Sequence, residues 1–374
     1  MGNKHRNQWI WELPGWPQFK WDSASLALPL SAARLVQTEV IGKGKLLNPD
    51  MDLSAQLEVL TREGIATSAI EGTRFDANAL RSSLARRLGL PTAGLPRPER
   101  SVEGLADVLL DATRHFHEPL TLEKLFAWQS ALFPTGRAGI HEVRVGDFRG
   151  EDPMRIVSGP IERQRIHYVA PPRDRLAQEM ISFLRWYNEP PPELDRLLRA
   201  GLAHVWFELI HPFEDGNGRV GRALLDRALA LDESRSVRLY SVSARLMAVR
   251  DEYYGALERV SRGGLDVSSW LVWFLDQFAA AARESEHLLD RVMRKARFWI
   301  QHSQDPLNDR QRKALNLMLD AGPDGFVGGM TNRKYAHLTK ASPATAQRDL
   351  AELVTFRCLS LVGAGRSARY ELPA

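Results

Sequence analysis

Between His211 and Arg222 the chain places a histidine, an acidic pair, a glycine-rich turn and two arginines within twelve residues. His211 is a general-base candidate, since an unperturbed imidazole titrates at about 6.5. Asp215 offers a hard carboxylate oxygen of the kind magnesium takes beside phosphates. Gly216-Asn217-Gly218 cannot be regular structure, and its glycines permit positive φ and close approach of a ligand to the backbone. A turn of that kind running into a helix start presents free N–H groups and the positive end of the helix dipole, which is an anion cradle. Arg219 and Arg222 project from the first turn, where the dipole alone disfavours cations. Two arginines there make sense with an anion between them. The alternative is local neutralisation by Glu214, Asp215 and Asp226. Base, metal carboxylate, anion cradle and arginines together describe a phosphoryl- or nucleotidyl-transfer site.

The elements that must position this loop are helices. Leu194, Leu198, Leu202, Val205 and Leu209 make one apolar stripe ahead of it. Pro212 disfavours helical geometry at His211, so the helix is expected to end there. A second helix is expected from about Arg219, with Val220, Leu224 and Leu231 inward. His204, two turns before the loop, reads as core.

The string His211-Pro212-Phe213-Glu214-Asp215-Gly216-Asn217-Gly218-Arg219-Val220-Gly221-Arg222 resembles the signature of the Fic (Fido) family at every fixed position. The resemblance implies a protein adenylyltransferase that uses ATP and Mg2+. His211 would deprotonate the target hydroxyl and Asp215 would hold the metal. Asn217 and the Gly216 and Gly218 amides would hold phosphate oxygens, and Arg219 and Arg222 the β- and γ-phosphates. Phe213, Glu214, Val220 and Gly221 would complete the nucleotide site, with Tyr253 and Tyr254 near the adenine. Thr67-Ser68-Ala69-Ile70-Glu71-Gly72 resembles the family's inhibitory helix, so Ser68, Glu71 and Gly72 are inhibitory candidates. Glu71 would pair with Arg222 and misplace the triphosphate, and small misplacements cost orders of magnitude in rate. The implied partner is a target protein, the chain itself included, and a homodimer is expected by the same resemblance.

The rest of the chain reads as a mainly α protein: a Fic-type helical core with a β-hairpin flap, a small N-terminal α/β domain and a C-terminal winged helix. The expected domains are 1–95, 96–290 and 300–374, separated in part by the proline-rich stretch Pro91 to Arg100. Trp9, Trp11, Trp16 and Trp21 suit a small aromatic core sealing the N-terminus. One helix is expected around Leu53, Leu57, Leu60 and Gly64, and another from about Thr67 through Leu80. Met154 to Val169 reads as a hairpin and matches the family's flap, which clamps a target by strand addition.

Near the C-terminus, helices around Gln311 to Leu319, Thr331 to Thr339 and from Ser342 precede strand-like Leu359 to Val362 and Ala368 to Leu372. Residues 301–374 hold ten Lys/Arg against seven Asp/Glu. That admits a second reading, a DNA-binding regulator with the core as nucleotide sensor, although Asp349 and Glu352 oppose a basic face. The net charge of +4 is too small to imply nucleic acid by itself. No apolar run has the length of a membrane span or the form of a signal peptide. With Cys358 its single cysteine, the chain is expected to hold without a disulfide or structural zinc, which suits a cytoplasmic location.

Overall fold

The computed structural model describes residues 8–90, 96–160, 163–236, 238–319, 326, 328–363 and 368–373. The chain divides into two compact units, residues 1–46 with 56–285, and residues 47–55 with 286–374.

The first unit is helical apart from short hairpins. Its elements are α1 (Ser23–Gly44), α2 (Pro49–Ile70), α3 (Ala77–Arg87), α4 (Arg100–Arg114), α5 (Leu122–Leu132), β1 (Arg137–Ala138), β2 (His141–Glu142), β3 (Arg155–Ser158), β4 (Arg165–Val169), α6 (Leu176–Asn188), α7 (Arg196–Ile210), α8 (Asn217–Glu233), α9 (Val242–Ala248), α10 (Arg250–Arg262) and α11 (Ser268–Gln301). The last residues of α11 belong to the second unit, as do the first of α2.

The centre of the unit is α7 packed along α8, which in turn lies against α4. Every residue from Leu197 to Ile210 is buried, so α7 is enclosed on all sides and takes Arg199, His204 and Glu208 into the interior with its apolar residues. Gly201 lets α11 close on it: a Cβ there would stand 2.6 Å from the Phe274 ring. Starts are fixed by side-chain caps. Asp195 accepts from the Leu197 and Leu198 amides at the head of α7, and Ser241 from Ala244 at the head of α9.

Two expectations change. The helix through Leu53 and Gly64 does not stop before Thr67 but runs to Ile70, and the break falls at residues 71–76. Gly72 at φ +79° and the Thr73 N–H to Ser68 carbonyl bond (2.9 Å) end α2 in a left-handed C-terminal turn. The N-terminal segment is helical rather than α/β. Its described residues hold a short 3-10 turn (Ile10–Glu12), α1 to α3 and one isolated parallel bridge from Lys20 to Asp266. Trp9, Trp11 and Trp16 reach partners outside that segment. Trp16 meets Trp206 edge-on at 6.5 Å and donates from its indole to Glu179 at 2.8 Å.

The second unit contains α12 (Asp309–Leu319), α13 (Asn332–Thr339), α14 (Pro343–Thr355) and an antiparallel pair, β5 (Ser360–Val362) with β6 (Arg369–Glu371). Met330 makes an isolated antiparallel bridge to Tyr370 of β6. Leu315, Met330, Tyr335, Leu350, Leu353 and Cys358 are buried at its centre. Asp349, counted from sequence against a basic face, is turned inward and accepts from Arg310 and from the Tyr335 hydroxyl, each at 2.9 Å.

Candidate active site

The loop from His211 to Gly216 connects the ends of the two central helices. α7 stops at Ile210, and His211 takes a left-handed conformation at φ 51°. That is a strained position for a residue with a side chain. α8 starts at Asn217, two residues earlier than the sequence pattern suggests, with Gly216 at φ 91° as its N-cap.

The loop is pinned from several sides. The Phe213 N–H donates to Asn217 Oδ1, and Asn217 Nδ2 donates to the Phe213 carbonyl, both at 2.8 Å. Asn217 therefore locks the turn, a role that its reading as a phosphate donor did not include. Phe213 and Val220 are fully buried and act as core. Glu214 is exposed and accepts from the Arg144 amide at 2.8 Å.

Arg149, which no sequence pattern singled out, is buried beneath the loop. Its backbone N–H donates to the Pro212 carbonyl at 3.0 Å, its Nε to the His211 carbonyl at 2.9 Å, and its Nη2 to the Pro171 carbonyl. Burial lowers its pKa to about 10, still a cation at neutral pH. Gln129 was also missed. It joins the Arg144 carbonyl (3.0 Å) and the Gly146 amide (2.9 Å) to the Asp215 carbonyl (3.4 Å).

His211 is half-buried. Its Nδ1 lies 3.3 Å from the Glu208 carbonyl. A carbonyl can only accept, so Nδ1 carries the hydrogen and Nε2 keeps its lone pair. Burial pushes the ring's pKa down to about 4, and the nearby Arg149 charge acts in the same direction. His211 is thus neutral at physiological pH.

Asp215 accepts from the Gly216 amide at 2.5 Å and lies 3.6 Å from Arg219. Its side chain remains 44% exposed, so it is open to a further ligand. Arg219 is buried with its guanidinium 4.7 Å above the Phe133 ring, and its Nε has no protein partner. Burial without full pairing lowers its pKa.

Glu71 reaches this group from the end of α2. Its Oε1 is 2.7 Å from Arg222 Nη2. Arg222 also donates from Nε to Thr67 Oγ1 (2.6 Å) and from Nη2 to the Thr67 carbonyl (2.9 Å). Burial alone would raise the Glu71 pKa; Arg222, Arg219 and His211 outweigh it and hold the carboxyl below its ordinary value. A Cβ on Gly218 would stand 2.1 Å from Glu71 Oε1, so the carboxylate presses against the first turn of α8.

Of the other residues of the inhibitory candidate, Ser68 is fully buried with an unpartnered Oγ and contributes its carbonyl to the Glu71 and Thr73 amides. Gly72 provides the helix stop. The side chain that touches Arg222 besides Glu71 belongs to Thr67.

Tyr253 and Tyr254 divide. Tyr253 is a core residue, 1% exposed, with its hydroxyl 2.9 Å from His204 Nε2. His204 in turn lies 3.0 Å from the Gly221 carbonyl. Tyr254 is partly exposed and donates to the Ile70 carbonyl at 3.1 Å, beside Glu71. Gly221 makes room for Glu208: a Cβ there would lie 2.4 Å from its Oε1. Burial raises the Glu208 carboxyl to about 7, and its Oε1 has no hydrogen-bond partner.

The β3–β4 hairpin stands next to α10. His167 Nδ1 is 2.9 Å from Glu258, and Arg165 pairs with Glu258 at 2.8 Å. Its base is fastened by the Tyr168 hydroxyl on the Leu209 carbonyl (2.5 Å) and by the Trp11 indole on the Val169 carbonyl (2.8 Å). Every residue of β3 is exposed, and among the described residues the hairpin forms a sheet of two strands.

Comparison with known proteins agrees with this architecture. Residues 119–229 match the Fic/DOC family, and residues 9–90 match a domain of unknown function, DUF4172. A probable protein adenylyltransferase of Aquifex aeolicus is 37% identical over 106 residues, 27% of this chain and 31% of that protein. A protein adenylyltransferase of Caenorhabditis briggsae is 33% identical over 214 residues, 53% of this chain and 36% of that protein. The chain thus spans about a third of the length of these curated relatives. A Fic family protein from Desulfovibrio desulfuricans shares the fold, with a TM-score of 0.55 at 19% identity over 95% of this chain and 97% of that one. The match to the Fic/DOC family takes in residues 119–229, which carry the pinned loop between α7 and α8.

Proposed function

We propose that this chain transfers AMP from ATP to a hydroxyl of a protein target, and that Glu71 holds the activity down. The observation that carries the proposal is the Glu71 carboxylate lying against Gly218 while paired with Arg222. An anion is already seated at the glycine turn and helix start that the chemistry requires for phosphate. The curated relatives named protein adenylyltransferases support the same reaction.

His211 Nε2, neutral and with its lone pair available, takes the hydroxyl proton. The hydroxyl oxygen attacks the α-phosphorus, the bond to the β-phosphate bridging oxygen breaks, and pyrophosphate leaves. Arg219 and Arg222 balance the charge on the departing phosphates. The half-exposed Asp215 carboxylate fits magnesium; when bound, the ion neutralises phosphate charge. With Nε and Nη2 of Arg222 engaged by Thr67 and Glu71, the γ-phosphate lacks its cation until Glu71 withdraws. The exposed β3 strand supports target clamping by strand addition. Self-modification, a homodimer and a cytoplasmic location belong to the same reading. So do an inhibitory part at 1–95, a catalytic core at 96–290 and a winged helix at 300–374. Among the described residues no helix is long and apolar enough to cross a membrane.

The test uses wild type, Glu71→Gly and Glu71→Gly/His211→Ala with α- and γ-labelled ATP, magnesium and a cell lysate. The proposal expects α-label in protein, strong with Glu71→Gly, weak with wild type and absent from the double variant. Transfer of γ-label alone makes the protein a kinase, and no transfer in any form overturns the reading.

A DNA-binding role for α14 gains one observation. With Asp349 buried, the exposed face around Gln347 and Arg348 carries less acid than the sequence suggests. A gel shift that weakens steeply with salt would support it.

A further inference from the structure

The second unit brings together three side chains of three ligand types. His302 follows the last residue of α11, Asp305 lies one turn on, and Cys358 comes after α14. His302 Nδ1 is 2.6 Å from Asp305 Oδ2 and 3.4 Å from Cys358 Sγ, and Sγ is 3.8 Å from Oδ2. His302 and Cys358 are buried, while the Asp305 side chain keeps 27% of its surface exposed.

The two distances to sulfur already match the separations of about 3.3–3.8 Å that zinc imposes at tetrahedral angles, with bonds of about 2.0–2.3 Å. The third is shorter because the histidine and the carboxylate are hydrogen-bonded to one another. The partly exposed Asp305 can give way at the solvent edge. Cys358 is aimed inward by the chain itself: Arg357 adopts φ 59°, and the Cys358 N–H donates to the Leu353 carbonyl at 2.9 Å. The surroundings are apolar, with Leu353 and Leu359 in the core and the Phe298 ring centroid 4.5 Å from that of His302. One thiolate and one carboxylate neutralise a divalent ion, so the filled site carries no net charge into that setting.

We propose that His302, Asp305 and Cys358 bind a zinc ion, with water from the Asp305 side as fourth ligand. On binding, the Cys358 thiol loses its proton to solvent. His302 shifts its ring hydrogen from Nδ1 to Nε2, and the metal replaces the His302–Asp305 hydrogen bond. The site ties the end of α11 to the segment between α14 and β5. Counting cysteines excluded structural zinc; the fold supplies the missing ligands from a histidine and an aspartate that no cysteine spacing could reveal. The proposal stands independently of AMP transfer.

The full chain is stripped with chelator in thiol-free buffer and titrated with Co2+. Wild type develops a thiolate-to-cobalt charge-transfer band that saturates at one equivalent and is displaced by Zn2+. Cys358 is the single cysteine of the chain, so the band reports on that residue alone. Cys358→Ser abolishes it, and His302→Gln or Asp305→Asn weakens cobalt binding at least tenfold. Zn2+ raises the Tm of wild type and leaves that of the folded His302→Gln variant unchanged. Absence of the band at millimolar cobalt overturns the site, as does a band of undiminished affinity in both His302→Gln and Asp305→Asn.

Discussion

Glu71 Oε1 lies 2.7 Å from Arg222 Nη2, and the same carboxylate occupies the space that any side chain on Gly218 would need. One residue therefore presses on the first turn of α8 and holds Arg222. Replacing Glu71 with glycine frees both. AMP transfer into protein is expected to rise at least tenfold, measured as initial rates with α-labelled ATP. Glu71→Gln, which keeps the bulk without the charge, is expected to fall between wild type and the glycine variant.

The contact with Gly218 can be read through stability. Alanine in a helix is normally favoured over glycine by about 0.5–1 kcal/mol. At position 218 the new methyl group meets a carboxylate oxygen 2.1 Å away. Gly218→Ala is expected to destabilise wild type and to be better tolerated in the Glu71→Gly background, with a coupling of about 1 kcal/mol or more. A double-mutant cycle by urea denaturation measures it; additive effects would mean that the two residues do not meet in solution.

Arg149 positions the loop from His211 to Gly216 by donating to the carbonyls of His211 and Pro212. Arg149→Met is expected to lower kcat at least tenfold in the Glu71→Gly background while the KM for ATP changes about twofold or less. Its positive charge also helps to keep His211 neutral. The acid limb of the pH–rate profile is therefore expected near 4 with Arg149 present and higher without it. A KM effect with no change in kcat or profile would assign Arg149 to nucleotide binding instead.

Glu208 carries a stability cost that depends on pH. Burial raises its carboxyl to about 7, whereas an unfolded glutamate titrates near 4.3. The folded state therefore binds the proton more tightly, and stability from this group is full below the unfolded value and lost as pH rises through 7. The loss is on the order of 4 kcal/mol at most. Glu208→Gln is expected to gain stability over wild type as pH goes from 5 to 8, seen as a Tm difference that widens with pH. A constant difference would show that Glu208 is ionised throughout.

The residues that the structure gathers around the loop between α7 and α8 were legible because they are contiguous in sequence. His211, Asp215, Gly216, Gly218, Arg219 and Arg222 lie on one loop and one helical turn, and their types carry the proposed chemistry. The pairing of Glu71 with Arg222 was expected from the motif around Glu71. Residues that act through burial or from a distance were not. Arg149 belongs to an irregular segment 62 residues before His211, and an isolated arginine carries no pattern. Tyr253, Phe213 and Val220, placed at the nucleotide site by the resemblance, have side chains buried in the core. The N-terminal segment was misread as α/β because its tryptophans and prolines suit extended chain. Their partners, Trp206 and Glu179, lie on distant helices.

Glu71 is the first residue beyond α2, not one within it. Terminal turns are where helices fray, and local openings there cost far less than global unfolding. Under the proposed inhibition, the left-handed stop at Gly72 and the Thr67 contacts to Arg222 would be the latch that sets how often the carboxylate lets go. Sequence changes at 67–73 would tune basal leakiness continuously, with no need to touch the residues that perform the reaction.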